Sequence, residues 1–177
     1  MNSRMSLVRV LVFSVLSLLT TLGGVAHSQA VPDGYIQNPH VESGLAPNMT
    51  VEGSQSVART YQIRFSPGDE ILSGLTDLAK AEGIMAAQVT GLGGLSSALL
   101  AFGDPSMGEM VFKLIPIDVK SELISLVGTV SMRDAEPYVH LHAVVALSDG
   151  STRGGHVLAL NVAPIGEVTI LATAMAD

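Results

Sequence analysis

Cysteine and tryptophan are absent from this sequence of 177 residues, and basic residues are few. Without cysteine the chain can form neither a disulfide framework nor a cysteine-ligated zinc module. Nine Lys and Arg stand against sixteen Asp and Glu, which gives a formal net charge of −7. Because nucleic-acid binding depends on basic groups that displace counterions from phosphates, this balance argues against a polyanion partner. A composition of 47% apolar and 14% charged residues also excludes a disordered chain, so one compact domain is expected.

The first thirty residues have the pattern of a secretory signal peptide. Two arginines precede an apolar run over residues 10–22, and Ser28 and Ala30 place small residues at the −3 and −1 positions of a cleavage site. A membrane anchor is the alternative, but two glycines end the run before the roughly 20 apolar residues that a span requires. We therefore expect an exported protein, periplasmic or secreted, that begins at Val31. The segment that is removed contains both arginines and no acidic residue, so cleavage would change the formal net charge from −7 to −9.

Two further segments follow residue 30. Residues 31–56 contain three prolines and three glycines without sustained periodicity, which is typical of a flexible linker or of an arm lying on the domain. Residues 57–174 show regular apolar patterns and are predicted to form the folded domain.

The domain is predicted to contain one principal amphipathic helix over about 67–82. Ser66 is expected to be its N-cap and Pro67 its first residue, and apolar side chains recur on one helical face until Gly83. Stretches rich in Val, Ile, Leu and Ala predict strands, which are 57–65, 84–90, 95–102, 109–115, 123–130, 138–147, 156–162 and 168–174. One helix among many strands with short links predicts an α+β fold built mainly on antiparallel β-sheet.

A glycine-rich run, Gly91-Leu92-Gly93-Gly94, follows one predicted strand. A phosphate-binding loop would require a helix immediately after it, whereas residues 95–102 continue as a strand. The run is therefore predicted to form a tight corner between two strands.

Three histidines form the most informative pattern in the chain. Residues i and i+2 of a strand share a face, so His140 and His142 are expected to stand side by side. Asp149-Gly150 marks a hairpin turn, and a three-residue loop with Gly150 in the left-handed conformation would place His156 opposite His142. A two-residue loop would turn His156 away. The alternative to a metal site is a set of hydrogen-bonded core histidines.

If the three imidazoles converge, they can bind a divalent transition metal, with zinc the first choice, and leave a coordination position open. At least one ring is then expected to have its second nitrogen held by a carbonyl or a carboxylate. Glu122 is a candidate general base and Arg153 a candidate holder of an anionic substrate group. A surface role for either residue stays open, because spacing alone does not place them at the site.

Five segments in this order resemble the plant and prokaryote conserved (PPC) domain, across about residues 59–171. They are Ser66-Pro67-Gly68-Asp69-Glu70, Gly91-Leu92-Gly93-Gly94-Leu95, Glu122-Leu123-Ile124-Ser125-Leu126-Val127-Gly128-Thr129, His140-Leu141-His142 and Gly154-Gly155-His156-Val157. The resemblance implies an α+β sheet domain that assembles as a homotrimer, and metal binding by His140, His142 and His156. The fold is more distantly similar to that of acetolactate decarboxylase, a three-histidine zinc enzyme.

Three functions stay open. The first two are small-molecule chemistry at the metal and ligand or metal binding without turnover. The third is DNA binding, which plant members of the family perform through added Arg-Gly-Arg-Pro segments. This chain has no such segment, so nucleic acid is the least favoured partner.

Overall fold

A computed structural model describes residues 31–37, 39, 41–54, 59–107 and 109–172. The predictions for residues 1–30 lie outside this range. The described chain has one α-helix, α1 (Ile71–Ala81), and a short 3₁₀ helix, Pro105–Met107. Its strands are β1 (Tyr35–Gln37), β2 (Thr50–Ser54), β3 (Arg59–Phe65), β4 (Ala87–Gly103), β5 (Val111–Ile117), β6 (Ser121–Arg133), β7 (Glu136–Ala146) and β8 (Thr152–Ala172). The predicted α+β class, mainly antiparallel sheet with one principal helix, is confirmed. No helix among these residues is long and apolar enough to cross a membrane.

Four strands form a closed ring of hydrogen-bonded neighbours. Strand β4 pairs with both β6 and β8, while β7 pairs with β6 on one side and β8 on the other. All of these pairings are antiparallel. Strands β5 and β1 extend the sheet beyond β4, and β3 and β2 extend it beyond β8. Helix α1 lies against β7 and β8 and buries its apolar side chains in the common core.

The glycine-rich run does not form a corner, contrary to the prediction. It lies inside β4, which continues through it with shifts of register. A Cβ atom at Gly93 would lie 2.5 Å from the carbonyl oxygen of Ile165, and one at Gly94 would lie 2.5 Å from that of Ala163. The glycines are therefore needed because the backbone of β8 passes at close range. Strand β8 is likewise continuous where two strands were predicted.

Helix α1 begins at Ile71, about four residues later than predicted. Ser66 is not its N-cap, because Gly68 has a φ of +93° and the chain turns there. Glu70 is the N-cap, and its carboxylate accepts hydrogen bonds from the backbone N–H groups of Leu72 and Ser73. The same carboxylate accepts a third bond, at 2.7 Å, from the N–H of Leu160 in β8. This acid therefore joins the helix start to the sheet.

Residues 31–54 lie against the domain in their described part and contribute two short strands that the sequence pattern did not predict. Strand β1 pairs with β5, and β2 pairs with β3. The segment is also held at helix α1, since Asp77 accepts hydrogen bonds from the hydroxyl of Ser43 and from the N–H of Gly44.

Replacement of Glu70 with alanine is expected to lower the free energy of unfolding by about 3 kcal/mol. Loss of an N-cap costs about 1 kcal/mol, and a buried N–H left without an acceptor costs about 1–3 kcal/mol. Urea denaturation of the variant would measure the loss. Glu109→Ala, at an exposed position before β5, is the matched control and should change stability by less than about 0.5 kcal/mol. A Glu70 variant as stable as that control would contradict the assignment.

Candidate metal centre

The hairpin between β7 and β8 has the register that the histidine hypothesis requires. Leu147 closes the loop through two hydrogen bonds, one to the carbonyl of Ser151 and one from the N–H of Gly150. Gly150 has a φ of +81°, which favours glycine. The carboxylate of Asp149 accepts bonds from both the N–H and the hydroxyl of Ser151. His142 consequently pairs directly with His156.

The three imidazole rings converge on one face of the sheet. Nε2 of His140 lies 3.1 Å from Nδ1 of His156 and 3.3 Å from Nε2 of His142. One nitrogen from each ring lies within 4.8 Å of the other two. Two nitrogens bound at 2.0–2.1 Å to one tetrahedral zinc ion are about 3.3–3.4 Å apart, so the observed spacing suits shared ligation after small movements.

The electrostatics of the cluster favour neutral rings, which are the form that binds metal. Burial, followed by the neighbouring His140 and His142, lowers the pKa of His156 to about 4. Burial also lowers the pKa of His140, and the charges of His142 and Arg133 act in the same direction. Because no carboxylate among the described residues joins the cluster, nothing there stabilises an imidazolium.

Aromatic rings rather than hydrogen bonds flank the ligand rings. The ring centroid of Phe112 lies 5.2 Å from that of His156, and Tyr138 lies 6.1 Å from His140. The expected bond from a second ring nitrogen to a carbonyl or carboxylate is not seen within the described part of the chain. Packing against neighbouring rings therefore restricts the orientation of these imidazoles.

The two predicted helper residues do not join the histidines. Glu122 pairs with Ala146, four residues along β7 from His142, which is about 13 Å at the rise of a strand. Arg153 lies three residues before His156, so strand alternation places it on the opposite face. It donates a hydrogen bond to the carbonyl of Thr152 and contacts none of the three histidines. Their predicted roles thus have no support from contacts within this chain.

Two residues without a role predicted from the sequence lie beside the cluster. Tyr138 is two residues before His140 and shares its face. The guanidinium carbon of Arg133, at the end of β6, lies 4.4 Å above the centre of the Tyr138 ring. The two-residue spacing between Tyr138 and His140 could have predicted that they share a face, whereas the position of Arg133 follows only from the register of β6 and β7.

A surface cavity of about 880 Å³ lies elsewhere on the sheet. Its walls come from β2, β3, β4 and β8 and include Gly91, Thr90 and Thr169, together with the ion pair of Arg64 and Glu167. None of the three histidines lines it. The first two residues of the glycine-rich run, Gly91 and Leu92, therefore border this cavity.

The donor set fits a transition metal. Three imidazole nitrogens without a carboxylate suit zinc, cobalt, nickel or copper, whereas magnesium and calcium require oxygen ligands. His140, His142 and His156 would hold the ion.

The stability of the metal-free protein should fall as the pH is lowered from about 6.5 to about 4. His156 takes up its proton at a pH near 6.5 in the unfolded chain but only near 4 in the folded chain. Between these values the unfolded state binds more protons, so acid favours unfolding. Thermal melts of wild type and His156→Gln across this range would test the claim. The wild type should lose more stability than the variant, and parallel curves would contradict it.

Comparisons with known proteins identify the family and the fold of this chain. A family model, Plants and Prokaryotes Conserved (PCC) domain, matches residues 52–174. A PPC protein from Pyrococcus horikoshii has a similar structure, with 30% identity, a TM-score of 0.62 and coverage of 72% of this chain and 85% of that one. A metal-containing protein from Archaeoglobus fulgidus is 25% identical, with a TM-score of 0.61 and coverage of 71% and 84%.

A third similar structure comes from Bacteroides thetaiotaomicron and is named as a candidate DNA-binding protein. It is 23% identical, with a TM-score of 0.64 and coverage of 71% of this chain and 85% of that one, a likeness that shows the fold alone. No curated protein matches the chain. The family match covers most of the chain and includes the helix, the glycine-rich run and all three histidines. The chain therefore belongs to the plant and prokaryote conserved domain family.

Proposed function

We propose that this protein binds one divalent transition metal ion per chain through His140, His142 and His156. The observation that carries the proposal is the convergence of three ring nitrogens within 4.8 Å on an accessible sheet face. The lowered pKa values of His140 and His156 support it, because metal binding then displaces little bound proton at neutral pH. The metal-containing relative from Archaeoglobus fulgidus also supports it.

Zinc is the metal proposed, since three neutral imidazoles with an open position form a common zinc donor set. The chain supplies three ligands, so a water or small-molecule ligand would complete the coordination. A bound zinc ion acts as a Lewis acid toward such an oxygen ligand. His140, His142 and His156 would fix the ion, and the rings of Phe112 and Tyr138 would limit the space beside it.

The contacts within this chain favour ligand binding at the metal over catalytic turnover. General acid–base catalysis needs a proton-transfer group within hydrogen-bonding reach of the reacting atoms. No Asp or Glu among the described residues is grouped with the histidines. Catalysis remains the alternative, and release of product from metal-loaded protein would establish it. DNA binding is not proposed, since the chain has a net charge of −7.

Export is a further part of the proposal, supported by the arginines, apolar run and small residues within positions 1–30. The predicted product begins at Val31 and is soluble in the periplasm or the medium. Intact-mass measurement of protein from the exported fraction would test it. Retention of residues 1–30 in a membrane fraction would overturn this part.

A homotrimer is proposed as the assembled form. Exposed apolar side chains on β6 and β7 support association of the sheet with other copies beside the histidines, since Val127, which pairs with His142, is 51% exposed, Ile124 is 57% exposed and Val144 is 40% exposed. Light scattering coupled to size exclusion would give the mass, which should be three times that of the chain. A monomeric mass would contradict the assembly and leave the metal proposal standing.

Elemental analysis of purified protein tests the metal proposal. The wild type should retain about one zinc equivalent per chain after dialysis, and the triple variant His140→Ala, His142→Ala, His156→Ala should retain none. His40→Ala, which removes the remaining histidine of residues 31–177, is the matched control and should retain metal as the wild type does. Equal metal content in wild type and triple variant would overturn the proposal.

A further inference from the structure

The charges around the histidines indicate which kind of ligand the site would bind. This inference rests on the proposed metal ion. A divalent ion held by three neutral imidazoles keeps its full charge, since no carboxylate from the described chain joins the group. Arg133 adds another positive charge near it. The chain as a whole is acidic, so this concentration of positive charge is local. An anionic ligand is the complement that such a site requires.

Arg133 is positioned for such a ligand. It lies on the same face as the histidines, because β6 pairs Ser131 with Tyr138 and Thr129 with His140. Its guanidinium lies over the Tyr138 ring, and that ring is 6.1 Å from His140. The stacking restricts the side chain, and its N–H groups, which bond to no acceptor in the described part of the chain, can bind an oxyanion.

No acid among the described residues forms an ion pair with Arg133. Glu136 is its partner across the β6–β7 turn, but the carboxylate of Glu136 is paired with Lys80 at 3.6 Å, and Asp134 lies in the turn that follows Arg133. By contrast, Arg64 is paired with Glu167 and lies in another part of the sheet. Arg133 thus lacks an ion-pair partner among the described residues and contacts Tyr138, the residue beside His140.

We propose that the site binds a small dicarboxylate, with one carboxylate on the metal held by His140, His142 and His156 and the other on Arg133. A carboxylate matches both partners, since it ligates a zinc-like ion through oxygen and accepts paired hydrogen bonds from a guanidinium. The Tyr138 ring lies beneath the guanidinium of Arg133 and 6.1 Å from the ring of His140. Arg153, on the opposite face, takes no part.

The test uses the full chain loaded with Co²⁺, whose visible spectrum reports both metal loading and ligand binding. Malonate, succinate and glutarate are titrated in turn, with acetate as the ligand that can contact the metal alone. The best dicarboxylate should bind about tenfold more tightly than acetate, because charge-assisted bonds to Arg133 are added. Arg133→Gln should lower its affinity to about that of acetate without changing acetate binding. Arg64→Gln is the matched control and should change neither affinity.

The outcomes separate this proposal from the metal proposal. If Co²⁺ does not load, both are overturned. If Co²⁺ loads but no dicarboxylate binds more tightly than acetate, the metal site stands and the dicarboxylate proposal fails. It also fails if Arg133→Gln binds dicarboxylates as the wild type does, or if Arg153→Gln is the variant that loses the affinity.

Discussion

Replacement of His156 with alanine is expected to lower the affinity for Zn²⁺ by more than about 100-fold. Loss of a residue that only supports a metal ligand costs about 10–100-fold, and His156 is proposed as a ligand itself. Its ring is also the one that links the two sides of the hairpin, since it lies 3.1 Å from His140 and pairs with His142. The remaining two imidazoles would leave two positions to solvent.

Competition titration with a chromophoric zinc chelator would measure this loss. The thermal stability of the metal-free variant should stay close to that of the metal-free wild type at neutral pH, because bound metal is what stabilises the loaded protein. His40→Ala serves again as the control and should bind Zn²⁺ as the wild type does. An affinity within about threefold of wild type in His156→Ala would remove this residue from the site.

Replacement of Gly128 with alanine is expected to damage both the fold and the metal site. A Cβ atom at this position would lie 2.1 Å from the carbonyl oxygen of His140 and 3.0 Å from the Cα of Leu141. Both contacts involve the backbone of β7, so a side-chain rotation cannot relieve them. Strand β7 would have to move away from β6, and His140 would move with it.

The expected loss is about 3 kcal/mol in unfolding free energy, at the upper end of the usual cost of overpacking a core. The Zn²⁺ affinity should fall by about tenfold or more, because the ligand geometry changes. Gly103→Ala is the matched control, since its nearest contact is the Phe112 ring at 3.5 Å, an ordinary distance. Urea denaturation and zinc titration of both variants would test the claim. A Gly128 variant that resembled Gly103→Ala in both measurements would contradict the role assigned to this position.

A hairpin between the two histidine strands was predictable because its turn residues are local, whereas the choice between a three-residue and a two-residue loop was left open by the sequence. The turn depends on adjacent residues: Ser151 donates two hydrogen bonds to the carboxylate of Asp149, and Gly150 adopts a φ of +81° and donates its N–H to the carbonyl of Leu147. Once the loop length was set, strand alternation placed His156 opposite His142. The α+β class was likewise predictable, because the apolar periodicity of α1 and of the strands is a local property.

The start of α1 and the continuity of the long strands were not predictable in this way. Glu70 caps the helix partly through its bond to Leu160, a residue 90 positions away. Gly93 and Gly94 resemble a turn in sequence, but the feature that requires them is the passing backbone of β8. Gly and Pro signal a possible break in a strand, whereas only the tertiary fold determines whether the chain turns there.

The charged residues near the histidines also depend on the tertiary fold and were not predictable from the sequence. Arg153 is near His156 in sequence, but an odd spacing on one strand separates their faces. Arg133 is seven residues from His140, and only the pairing of β6 with β7 brings it to the same face. Proximity along the chain therefore did not identify Arg133, whose charge acts on His140.

X-ray absorption spectroscopy at the zinc edge tests the central claim most directly. The wild type loaded with one equivalent of Zn²⁺ should show three imidazole nitrogens at about 2.0–2.1 Å, with a further oxygen ligand. His40→Ala should give the same spectrum, and the triple variant lacking His140, His142 and His156 should show no imidazole scattering. A wild-type spectrum with oxygen ligands alone, or one unchanged in the triple variant, would contradict the proposed three-histidine metal site.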